Sequence, residues 1–135
     1  MQVSIVIKIP IERPYAEVYE FLADPHNLAR WAADPDSEVE PLDGGDWLVQ
    51  LSGRARVLRP APRNTFGVLD YQSFAPGESG GPTTPWRLIR NGEGCEMIIV
   101  WRQHEGVSDE RFRSDAEWVE SDMQRLKTLL EARLA

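Results

Sequence analysis

The apolar residues Phe112, Ala116, Val119, Met123, Leu126, Leu130 and Leu134 recur at steps of four and three. That spacing draws one continuous stripe along a helix of about 25 residues, and such a stripe has to be covered by another element. Its start carries two signals: Ser108 ahead of Asp109 and Glu110, and Ser114 with Glu117 as a capping box. A kink near Ser114 would reconcile them.

The text upstream supplies the cover. From Ser37 to His104 short alternating runs are broken by Asp43-Gly44-Gly45-Asp46, Ser52-Gly53 and Asn91-Gly92-Glu93-Gly94, all of them turn chemistry. The spacing predicts strands near 37–42, 46–51, 54–59, 65–74, 84–90 and 95–104. Another is predicted at the N-terminal end, where Val3, Ile5, Ile7 and Ile9 fall on every second position. Between this first strand and the meander, Pro14 suits a first helical turn followed by the apolar face Tyr15, Val18 and Leu22. Asp24-Pro25 then opens a second short helix, expected to run to about Ala32. The order β-α-α-β6-α predicts an α+β helix-grip fold: a seven-stranded curved antiparallel sheet around the C-terminal helix, in one domain over 1–135. Ala75 to Pro85 is dense in glycine and proline, and a mobile loop is expected there.

Charge and composition exclude several classes. A net charge of -7 without a basic cluster argues against nucleic acid, and no run approaches the roughly 20 apolar residues that would span a membrane. The single cysteine, Cys95, cannot form an internal disulfide, and the N-terminal residues lack the pattern of a secretory signal, so a cytoplasmic location is expected.

The segments VSIVIKIPIERPYAEVYEFLADPHNLARWAAD and WVESDMQRLKTLLE, together with the element order, resemble the START-like or SRPBCC superfamily, particularly its polyketide cyclase/dehydrase and lipid-transport branch. The resemblance covers nearly the whole chain and implies an internal cavity. The uses it implies are diverse: lipid and hormone carriage, cyclase or dehydrase chemistry, chaperone-cofactor roles and toxin-like regulation. One departure is the tight turn Asp43 to Asp46, which replaces the long glycine-rich loop of the plant allergen branch.

Strand parity, carried inward from Ile7 and Ile9, selects the residues that would line a cavity. They are Trp47, Trp86, Met97, Ile99 and Trp101 from the meander and Val119 and Met123 from the last helix, with Trp31 at the mouth. Each has the plainer alternative of ordinary core packing. On strand 65–74 either face can be the inner one. With Asp70 inside, a buried carboxylate would need Arg87, Arg90 or Arg102 as partner; with Tyr71 inside, a phenol is offered to a ligand, and this arrangement is favoured.

Three functions follow. The first is binding of a hydrophobic, aromatic or polyketide-like molecule without a cofactor. A second is a cyclase or dehydratase using Tyr71 and Asp70 with Arg87 or Arg102. The third is a partner module, since Ile98 and Val100 make the last strand apolar on both faces and a homodimer would cover it. Cys95 and His104 lie about 30 Å apart on a continuous strand and cannot form a dyad. Two histidines and one cysteine without paired spacing make no metal site, and His26 reads as a solvent-facing residue of a first helical turn. Asn91 to Gly94 is a hairpin turn rather than a phosphate loop, and Asp115, Glu117, Glu120 and Asp122 read as a solvated helix face.

Overall fold

The computed structural model describes residues 1–132, so Leu134 of the apolar stripe lies outside the described residues. Strand β1 (Ser4–Ile11) leads to helix α1 (Tyr15–Ala23) and a 3-10 helix (Pro25–Arg30). The meander follows as β2 (Glu40–Pro41), β3 (Trp47–Leu51), β4 (Arg54–Pro60), β5 (Tyr71–Phe74), β6 (Thr83–Thr84), β7 (Trp86–Asn91) and β8 (Gly94–Arg102). Helix α2 (Asp109–Ala132) closes the order. This is the expected α+β helix-grip architecture, with curved antiparallel sheets gripping the last helix.

The strands form two sheets, β1-β8-β7 and β2-β3-β4-β5-β6, where one was expected. They share a register nonetheless: Tyr71 opposes Thr84, Gln72 opposes Thr83, and an isolated bridge pairs Val68 with Arg87 along the same line. The ladder is interrupted at Pro85, which has no N–H to give it. The predicted strand 84–90 is therefore split into β6 and β7, and among the described residues eight strands stand where seven were predicted.

The predicted strand 65–74 is regular only from Tyr71 onward. Upstream, the Asn64 side chain takes over the backbone bonding: its Oδ1 accepts from Phe66 N (2.9 Å) and Val68 N (3.1 Å), and its Nδ2 donates to Val68 O (2.8 Å). Gly67, at φ +72°, completes the turn; a Cβ there would lie 2.1 Å from Leu88 O, so only glycine admits the bond from Leu88 N to Gly67 O. Likewise the 37–42 strand shrinks to two residues, since Asp36 takes a left-handed backbone and Ser37 folds back onto Asp34 O.

The helices start where their chemistry allows. Pro14 stands just outside α1 as a cap without a side-chain bond, its carbonyl accepting from Val18 N at 3.1 Å. Asp24 accepts from His26 N, but the helix it opens is a 3-10 turn ending at Arg30. Ser108 caps α2 through the bond from Arg111 N, and the helix runs unbroken through Ser114, so no kink is needed. The glycine-rich 75–85 loop lies on the sheet: Gln72 Oε1 accepts from Gly81 N, and Arg59 reaches Ser79 O while its guanidinium covers the Phe74 ring. Among the described residues no helix is long and apolar enough to cross a membrane.

Ile7, Ile9 and Ile11 of β1 face the α2 stripe, in which Met123, Leu126 and Leu130 are fully buried. Each such side chain contributes about 1.5–3 kcal/mol from its removal from water. Lys127 and Glu131 tie the helix to the end of β1 and the residue after it by bonding Pro10 O and Glu12 N, which fixes α2 across the concave side of the sheet.

Candidate functional site

The inward residues of β7 and β8 and the stripe of α2 meet over a common apolar cluster. Trp31, Trp86, Met97, Ile99 and Met123 are buried in it, and Tyr71, Trp101 and Val119 are half-buried against it. Trp86 sits between two aromatic neighbours, its ring centroid 5.9 Å from Trp31 and 6.1 Å from Tyr71, the latter edge-on. Trp31 is thus a core residue, only 7% exposed, and not a mouth residue. The cause lies in the 3-10 helix, which ends by turning Trp31 inward, where Arg125 donates to its carbonyl (2.9 Å). Trp47 stays outside the cluster: β3 is two strands beyond β5, and there the Trp47 ring meets His26 edge-on at 4.9 Å.

Polar groups at this cluster are few. The buried indole nitrogen of Trp86 has no hydrogen-bond partner among the described residues. The Tyr71 phenol is pushed above its ordinary pKa by burial, with a hydrogen bond to Thr84 acting against this and the charge of Asp122 adding to it. Burial pushes the Asp122 carboxyl up to about 6, against the pull of Arg125, whose Nη1 lies 3.3 Å from Asp122 Oδ1. Asp122 therefore leaves the solvated face to which its helix neighbours belong. Spacing carries the signal for it, because Asp122 stands three residues after Val119 and four before Leu126, on the edge of the buried stripe.

The four residues named for a cyclase or dehydratase do not converge. Tyr71 packs against the interior, and alternation along the strand turns its neighbour Asp70 to the other face. There Asp70 pairs with Arg87 as a half-exposed ion pair. Trp86 and Leu88 inward put Arg87 outward, and Ile99 and Trp101 inward put Arg102 outward, exposed opposite Ser4. Arg90 stacks on the Tyr15 ring at 4.0 Å and takes no part. Cys95 is buried beside the Arg13 carbonyl (3.6 Å), its thiol pushed up to about 11 by burial, while His104 lies beyond the opposite end of β8.

At the start of α2 lies a surface cleft of about 500 Å³, lined by Val3, Ile5, Phe112 and Ala116 and equally by Gln103, Asp109, Arg113 and Glu117. Ile5 opposes Trp101, Ile7 opposes Ile99, and Ile99 opposes Trp86, so one inner face leads from the cleft to the aromatic cluster. At its inner end Trp86, Met97, Ile99 and Met123 are closed to solvent. Among the described residues no group of three or more His, Cys, Asp or Glu side chains is placed to hold a metal ion.

Solved structures share the fold. A Bacillus thuringiensis protein superposes with a TM-score of 0.75 at 11% identity, over 94% of this chain and 98% of that one. The Aha1 dimer of Colwellia psychrerythraea gives 0.70 at 16%, over 93% of each. DynU16, a protein in the dynemicin biosynthetic locus, gives 0.67 at 18%, over 95% of this chain and 47% of that one. At such identities the likeness is one of fold. No curated protein matches the sequence. The family model described as "Activator of Hsp90 ATPase homolog 1-like protein" matches residues 12–131, nearly the whole chain. The chain thus belongs to the Activator of Hsp90 ATPase homolog 1-like family.

Proposed function

We propose that this protein binds a small, mainly apolar molecule between the sheet and α2, admitted through the cleft at the start of that helix. The observation that carries the reading is the cleft of about 500 Å³, which holds Val3, Ile5, Phe112 and Ala116 at the end of the strand face that leads through Ile7 and Ile99 to Trp86. A concave apolar site with few polar groups is the usual form of a small-molecule pocket. The inner end is closed as it stands, so occupancy requires Met123, an adaptable side chain, to turn aside. Kinship of fold with a protein of a biosynthetic locus supports a polyketide-like ligand, and with it the cyclase/dehydrase and lipid-transport branch. A cyclase or dehydratase, by contrast, would need Asp70, with Arg87 or Arg102, on the face that Tyr71 occupies.

The test is a ligand-observed NMR screen of apolar aromatic and acyl compounds against the protein and its Ile5→Trp variant. Ile5 is 37% exposed, so a larger side chain fills the cleft with little strain. Hits that vanish in the variant support the reading; hits that persist unchanged place the ligand elsewhere, and an empty screen removes it.

A second reading is a homodimer, favoured by apolar residues on the outer face of β1-β8-β7. Val6 is 66% and Ile89 47% exposed there, with Ile98 and Val100 between them. Sedimentation of the protein and of Val6→Lys tests it; a monomer at high concentration excludes it.

A further inference from the structure

The Trp86 indole N–H is a donor without an acceptor. Trp86 is only 7% exposed, its Nε1 is buried, and no group among the described residues accepts from it. A buried donor left unmatched is a standing cost to a fold, and native interiors rarely keep one without use. Its surroundings restrict what can match it. Trp31 and Tyr71 present ring surface, and Met97, Ile99 and Met123 offer no strong acceptor. The charged groups bordering the cluster, Asp122 and Arg125, are bonded to each other, and Arg125 also to Trp31 O. A ligand carboxylate would face Asp122; a ligand ammonium would find no acceptor at the indole.

Resting on the binding site proposed above, we infer that the bound molecule carries an uncharged hydrogen-bond acceptor, an aryl ketone or quinone carbonyl, which takes the Trp86 N–H while its ring lies among Trp31 and Tyr71. Recognition is then by a single neutral hydrogen bond inside an aromatic cage, and it distinguishes a carbonyl compound from a hydrocarbon of the same shape.

A matched pair of probes tests this: 2-acetylnaphthalene and 2-isopropenylnaphthalene, which differ by an oxygen in place of a methylene group. The expected result is about tenfold tighter binding of the ketone, the usual worth of one such bond, with a downfield shift of the Trp86 indole proton for the ketone alone. Trp86→Phe removes ring surface and so weakens both probes, but the ratio of their affinities should fall to about one. Equal affinities for the two probes, or a preference that persists in Trp86→Phe, overturn the inference and leave the binding site standing. Binding of neither probe overturns both. Should Trp86→Phe fold poorly, the indole shift in the unaltered protein decides, since a ketone that binds without moving it is not held by that N–H.

Discussion

Asp70 fastens Trp86 from behind: its Oδ1 accepts the Trp86 backbone N–H at 2.8 Å while pairing with Arg87. Leu69 N donates to Trp86 O in the ordinary ladder manner, but the return bond is diverted to the carboxylate, one residue after Pro85 breaks the ladder. The tryptophan at the centre of the candidate site is thus set by a residue on the opposite face of the sheet. Asp70→Ala should cost about 2 kcal/mol, because it orphans a part-buried N–H and the Arg87 charge together. Asp70→Asn keeps an acceptor and should lose less than half of that. Urea denaturation midpoints measure both; equal losses would mean that charge, not the acceptor, matters.

Much of this arrangement is legible in the sequence. Period-two alternation identified the inner faces of β1, β7 and β8, because each is a regular strand with one face against α2, and the steps of four and three marked the helix itself. Legibility fails where side chains replace backbone bonding. Asn64 and Gly67 convert the front of a regular-looking alternation into a turn, and nothing in the pattern Phe66, Val68, Asp70 announces it. Trp47 obeys strand parity yet misses the cluster, since parity assigns a face and says nothing of how far along a curved sheet the residue stands.

Met123 is 1% exposed at the inner end of the apolar path. Met123→Ala should therefore destabilise the protein by about 2–4 kcal/mol, the sum of lost burial and the cavity left behind. Met123→Leu conserves most of the volume and should cost under about 1.5 kcal/mol. Guanidinium unfolding reads both. A small loss for alanine would show that the interior collapses readily around the site.

Asp122 gives the fold a pH dependence of unusual sign for a carboxylate. Its pKa rises from 3.8 to about 6 on folding, so the folded state holds a proton that the unfolded state releases first. The associated stability is present below pH 4 and lost as the pH climbs through 6. The loss is on the order of 2 kcal/mol after allowance for its partial exposure. Asp46, Glu96 and Glu131, held low by Arg59, Lys8 and Lys127, act oppositely and at lower pH. The stability of Asp122→Asn relative to the unaltered protein should accordingly be near zero at pH 4 and grow to its full value above pH 7. A difference that is flat from pH 4 to 8 would show Asp122 to be solvated.

Cys95 reports on the opening of the same core. Burial pushes its thiol from 9.0 to about 11, so at pH 8 the reactive thiolate is roughly 100-fold scarcer than in the unfolded chain, and the residue is only 2% exposed. Alkylation by iodoacetamide should then be at least about 100-fold slower in the folded protein than in urea. How the rate varies with pH separates two routes. If the folded thiolate reacts in place, the rate keeps climbing tenfold per pH unit beyond pH 9; if β8 must first come away from Ile11, it levels off with the unfolded thiol near 9. The contact of the sulfur with the Ile11 and Arg13 carbonyls favours the second route. A ligand seated between the sheet and α2 holds that opening closed, so it should slow labelling in proportion to its occupancy. Fast labelling of the folded protein at pH 8 would mean that this edge of the core is open.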